Sequence, residues 1–198
     1  MSIVPIGVRA ESLTVVVVGG GRVGTRKATA FLDAGASVRV IASRASDELR
    51  AHATLRLELI EREFTESDVD AGELIVAATD DDAVNARVAE ACRRGKRLCN
   101  RADDPSDGTF ETLAVHRAGP LTIGVSAGGV PAAAGQIRDE IGRRFDNRYG
   151  DAIASLIRLR AGLRAGGDWP RAADAVLARD FCEAVESGAI TQRVSQWD

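Results

Sequence analysis

The chain has 198 residues, 45% of them hydrophobic, enough to bury the core of one good-sized domain, or of one domain with a smaller helical partner. A formal net charge of -3 gives no general attraction to a phosphate backbone, and no lysine-rich tail supplies one locally, so nucleic acid is not an expected partner. The opening MSIVPIGVRAES lacks the long apolar run of a signal peptide, and no stretch approaches the ~20 apolar residues of a membrane span, so a cytoplasmic protein is expected.

In chain order, apolar β-branched runs alternate with helical patterns. LTVVVVG (13–19) is followed by RVGTRKATAFLDAG (22–35), SVRVIAS (37–43) and a short polar helix around 46–52. RLELIE (56–61), ELIVAAT (73–79), the helix DDAVNARVAEACRRG (81–95) and RLCN (97–100) continue the series. Unbroken apolar strands flanked by helices predict an α/β fold with a parallel sheet covered on both faces.

After Asn100 the pattern changes. TFETLAVHR (109–117) and LTIGVSAGG (121–129), joined through AGP, read as two linked strands or a hairpin. From Pro131 the chain reads as helix, with proline at the start, apolar Ile137 and Ile141, and a basic last turn. Two further runs, from Tyr149 and from Trp169, complete a helical tail. The expected divisions are 1–108, 109–147 and 148–198.

The spacing Gly19-x-Gly21-x-x-Gly24 follows a strand and opens a helix, which is the Rossmann pattern for a dinucleotide. The first glycine makes the tight turn, the second lets backbone approach a pyrophosphate, and the third lets helix and strand pack closely. The phosphate then faces the free N–H groups and positive dipole end of a helix starting near Arg22. A tight strand-to-helix turn with no ligand has the same spacing, but the place near the N-terminus, between two strands, favours the nucleotide.

Where an NAD enzyme usually offers an acid, after the second strand, this chain has IASRAS. Ser43 can hydrogen-bond a ribose hydroxyl, while Arg44 suits a 2′-phosphate or stacks on adenine, so residue chemistry alone leaves NAD and NADP open and tilts toward NADP. At the end of the fourth strand, Thr79 leaves the sheet on the ligand-facing edge, and Asp81 and Asp82 read as caps of the next helix. The fifth strand runs into CNRADDPSDGTF, placing Asp103 and Asp104 at the same edge. A carboxylate there can act as a general base or merely shape the turn before Pro105.

Cys92, Cys99 and Cys182 lack CxxC spacing, and His52 and His116 have no companions at ligand spacing. Core thiols and surface or capping histidines are expected, with no dedicated metal site.

Taken in order, GGGRVGTRK, AATDDDAVN, the N-x-x-D-x-P segment from Asn100 to Pro105, and the SAGG turn at Ser126 resemble the precorrin-2 dehydrogenase family, the dehydrogenase part of siroheme synthases, over about residues 5 to 145. The resemblance implies NAD-dependent oxidation of precorrin-2 to sirohydrochlorin, with some members also inserting ferrous iron. It implies Asp103 rather than Asp104 as the key acid, NAD contacts at Arg22, Val23, Ser43 and Arg44, and NAD rather than NADP. It also implies a homodimer formed through the segment after the first domain. Here Ala127 stands where some members carry a second serine, so regulation through that hydroxyl is absent. A reading from another class is a nucleotide-sensing regulatory domain without chemistry, which would need the glycine loop but not Asp103.

Overall fold

The computed structural model describes residues 3–52, 55–163 and 167–197, so the end of the run from Tyr149, at 164–166, lies outside the described residues. The chain divides into two compact units at Thr112 and Leu113.

The first unit holds five parallel strands: β1 (Thr14–Val18), β2 (Ser37–Ile41), β3 (Leu57–Ile60), β4 (Leu74–Ala77) and β5 (Leu98–Arg101). Their spatial order is β3-β2-β1-β4-β5, the arrangement of a doubly wound nucleotide-binding sheet. The valine run explains why β1 takes the centre, since a strand buried on both faces needs apolar side chains at every position. Val15 and Val17 point to one face, with Val38, Val40, Val76 and Ala28 of α1 (Arg22–Asp33). Val16 and Val18 point to the other, with Ile75, Ala77, Val88 and Cys92 of α3 (Asp82–Gly95). All four valines are essentially inaccessible, and burial of each such side chain contributes on the order of 1.5–3 kcal/mol.

Between these helices, α2 (Asp47–Ala51) is capped by Ser46, whose hydroxyl accepts from the Leu49 amide. The link from β3 to β4 is a 3-10 helix, Glu66–Ala71, opened by a capping box in which Thr65 and Asp68 satisfy each other's backbone amides. A second 3-10 turn, Pro105–Asp107, follows β5. Residues 109 and 110 fold back along β5: their amides both donate to the Cys99 carbonyl, and the Thr109 hydroxyl accepts from the Cys99 amide. These bonds keep 109–112 with the first unit.

The second unit opens with an antiparallel hairpin, β6 (Ala114–Ala118) and β7 (Leu121–Val125), and continues with α4 (Pro131–Arg144). The helical tail is four elements: α5 (Asn147–Leu163), α6 (Trp169–Val176), α7 (Phe181–Ser187) and α8 (Ala189–Ser195). Their core gathers Tyr149, Leu156, Leu159, Val176, Val185 and Ile190. His116 of β6 lies against Gly142, and its Nε2 bonds the Phe145 carbonyl at 2.7 Å, so it caps the C-terminus of α4. Cys92 and Cys99 are buried core thiols.

No helix among the described residues is long and apolar enough to cross a membrane.

Candidate nucleotide site and the acidic edge

Strands β1, β4 and β5 end level with one another: Val18 pairs with Ala77, and Ala77 with Arg101. The glycine turn, the Thr79 turn and the Asp103 segment therefore all leave the sheet at one edge.

The glycines of the turn serve different ends. Gly19 has φ +118°, a left-handed conformation that side chains rarely adopt, and a Cβ there would collide with the Ala78 carbonyl. A Cβ on Gly24 would collide with the Gly19 carbonyl, so α1 packs onto the strand end only because position 24 is bare. Gly21, the N-cap of α1, is the exception: a Cβ there would meet nothing within 4 Å. No side chain caps this helix. The first-turn amides of Arg22, Val23 and Gly24 thus receive no side-chain cap and follow a position kept free of side chain, as a pyrophosphate requires.

Gly20, the one member of the triplet outside the spaced pattern, is equally constrained. A Cβ there would lie 2.6 Å from the Arg44 carbonyl, and the Gly20 carbonyl accepts from the Ser46 amide at 3.0 Å. Thr25 on α1 bonds Ser46 through the two hydroxyls at 2.9 Å. The loop after β2 is therefore fastened to the glycine turn, with Ala42 and Ala45 buried and Ser43 and Arg44 exposed between them.

Thr79 is organised by a residue that the strand pattern did not single out. Asn85, completely buried on α3, accepts from the Thr79 amide at 3.0 Å and hydroxyl at 2.8 Å, and donates to the Thr79 carbonyl at 3.2 Å. Asp81 caps α3 by accepting from the Ala83 and Val84 amides, and Asp82 begins its first turn.

At the end of β5 the two candidate aspartates separate cleanly. Asp104 accepts from the Ser106 amide at 3.1 Å and hydroxyl at 2.6 Å, so the turn before the 3-10 helix is capped by Asp104 and not by Asp103. Asp103 instead faces Arg101, whose Nε and Nη2 donate to its two oxygens at 3.1 and 2.9 Å. The Arg101 guanidinium holds the Asp103 carboxyl below its ordinary range, against an opposing push from burial, with further help from the Asn85 amide. Arg101 also donates to Asp107 at 2.9 Å, and Asp107 pairs in turn with Arg93 of α3.

On the α1 face of the sheet, Lys27 donates to Asn100 of β5 at 2.8 Å and to the Thr112 hydroxyl at 2.6 Å. Burial, and secondarily Arg26, lowers its pKa. Asn100 in turn donates to the Phe110 carbonyl at 3.0 Å.

The sheet order and the open, uncapped glycine turn define a Rossmann-class dinucleotide-binding domain. A family model described as "Putative NAD(P)-binding" matches residues 6–114, and the chain belongs to that family. It is 39% identical over 168 residues to a siroheme synthase of Methylococcus capsulatus, covering 83% of this chain and 34% of the relative. With a siroheme synthase of Pseudomonas fluorescens it shares 34% identity over 195 residues, 98% of this chain and 41% of the relative. The chain thus spans between a third and a half of the length of these relatives. Among solved structures it is similar to SirC, precorrin-2 dehydrogenase, with a TM-score of 0.78 and 24% identity over 98% of this chain and all of that one, which establishes a common fold.

Proposed function

We propose that the chain oxidises precorrin-2 to sirohydrochlorin with NAD, hydride passing to the cofactor and a proton to a carboxylate at the sheet edge. The observation that carries this reading is the level ending of β1, β4 and β5, with the open glycine turn and Asp103 at one edge. The similarity to siroheme synthases supports the substrate.

Gly21 and the amides of Arg22, Val23 and Gly24 would receive the pyrophosphate, Ser43 and Arg44 the adenine-side ribose, and Thr79 the middle of the dinucleotide. When bound, NAD supplies a hydride acceptor. The chain's own task is to hold the tetrapyrrole against the edge, keep Asp103 facing it and remove one proton. NAD rather than NADP follows from the family resemblance, while Arg44, exposed and in no ion pair among the described residues, is the feature a 2′-phosphate would use.

The dimer proposed for this family finds a surface in the second unit. Val115 of β6, Val130 just before α4 and Ile137 within it are all exposed, and among the described residues the two-stranded sheet has no further strand at either edge.

Incubating the purified chain with precorrin-2 and NAD, and following NADH and sirohydrochlorin together, tests the activity. A chain that binds NAD tightly but leaves precorrin-2 unchanged is a nucleotide sensor, and the dehydrogenase reading is then wrong.

A further inference from the structure

Arg101 is the best-anchored cation of the sheet edge. Its side chain is 12% exposed, and it is tied on both sides: by Asp103, whose side chain is 25% exposed, and by Asp107, itself held from α3 by Arg93. Nη2 also makes a longer 3.5 Å contact with the Asp82 carbonyl at the start of α3. A guanidinium fixed at several points cannot swing aside, and its planar fork fixes the carboxylate that it grips.

We propose that Arg101 is a positioning residue that fixes the Asp103 carboxylate, in orientation and in its charged form, toward the open edge of the sheet. The proposal deepens the dehydrogenase reading and rests on it for the chemistry, though not for the ion pair itself. Among the described residues, few groups face Asp103. Arg101 comes from β5 and the uncharged Asn85 amide from α3. Asp107 and Arg93 act through Arg101, and Asp104 is turned to its own cap.

A carboxylate gripped in this way is a weak base, and the reaction is compatible with one. Loss of hydride takes the electron pair of a C–H bond and leaves positive charge on the conjugated ring system, which acidifies the remaining proton. A fixed anion beside the ring opposes that charge as it develops and then accepts the proton, which passes to solvent. Arg101 thereby trades basicity for a permanently charged, oriented group.

The experiment uses the full chain and reads Asp103 directly, by carboxyl carbon NMR titration, with the resonance assigned by its loss in Asp103→Asn. Arg101→Leu should move the Asp103 titration upward by ~1–3 pH units, the range expected when an opposing charge is removed. Arg101→Gln, which retains donors for Asp107, should do the same should the leucine variant not fold. Asp107→Asn serves as the control: it loosens the anchoring of Arg101 and lowers melting temperature, but should leave Asp103 titrating no higher than in the parent. The acid limb of the pH profile for precorrin-2 oxidation should rise with Arg101→Leu by the same amount as the titration. An Asp103 titration unmoved in both Arg101 variants overturns the proposal. A moved titration in a chain that never oxidises precorrin-2 overturns the dehydrogenase reading and leaves the role of Arg101 at Asp103 standing.

Discussion

Lys27 of α1 and Asn100 of β5 are joined by a 2.8 Å hydrogen bond, which ties the helix opened by the glycine turn to the strand that delivers Asp103. Asn100 is buried, so its side-chain carbonyl has little access to water in place of the ammonium. Lys27→Met should therefore cost about 1–3 kcal/mol, the penalty of a buried acceptor left unpaired. Thermal unfolding measures the loss. Because the Lys27 ammonium is engaged by Asn100 and Thr112, NAD affinity of the folded variant should stay close to that of the parent.

The glycines should separate folding from binding. Gly21→Asp has room for its side chain, so the variant should fold and melt near the parent while losing NAD, its carboxylate occupying the place of the pyrophosphate. Gly24→Ala should instead lower the melting temperature, because the new methyl strikes the Gly19 carbonyl. Calorimetric titration with NAD beside thermal unfolding distinguishes the two, and a folded Gly21→Asp that binds NAD normally would remove the nucleotide site.

Neighbouring aspartates should fail in different ways. Asp103→Ala should lose ~10²–10⁴-fold in precorrin-2 turnover while still binding NAD. Asp104→Ala should turn over normally and lose ~0.5–2 kcal/mol of stability, the ordinary cost of a missing cap. Steady-state rates and melting curves on both variants give the answer.

Coenzyme choice turns on Arg44. The parent should prefer NAD, and Arg44→Ala should further weaken NADP while changing NAD little, because the exposed guanidinium is the group able to meet a 2′-phosphate. Should the parent instead prefer NADP and lose that preference in Arg44→Ala, the residue chemistry outweighs the family resemblance.

Acid sensitivity has a specific source in Asp68. Burial would raise its pKa, but Arg62, at 2.6 and 2.8 Å, and the Thr65 amide and hydroxyl together hold it below the ordinary value. A carboxyl depressed in the folded state contributes stability above its unfolded pKa, ~3.9, and that contribution is lost as pH falls through the folded value. Melting temperature should therefore drop below about pH 4, and Arg62→Leu should flatten that drop while lowering the plateau near neutrality.

The parallel sheet was legible because β1 is a run of valines with helices on either side, a pattern with few alternatives. The glycine spacing likewise marked the tight strand-to-helix turn between β1 and α1. The polar couplings were not legible: Asn85 to Thr79, Lys27 to Asn100 and Arg101 to Asp103. The first two join side chains on different elements, whose meeting depends on strand order and helix placement. Arg101 and Asp103 are two residues apart, but spacing says nothing about which of two adjacent aspartates turns back toward the arginine. The first of the two strand-like runs after Asn100 is shorter than its composition predicts for a similar reason: residues 109, 110 and 112 spend hydrogen bonds on Cys99 and Lys27, and the hairpin begins at Ala114.

The contact between Gly19 and Ala78 limits how such a site can be altered. Because the turn after β1 rests directly on the backbone after β4, with no side chain between them to absorb a change, neither loop can be lengthened, grafted or randomised by itself. A designer seeking another nucleotide would have to replace the two loops together as a matched set. Ser43 and Arg44, exposed between buried alanines, can be varied freely, and a mutational library for altered coenzyme preference belongs there.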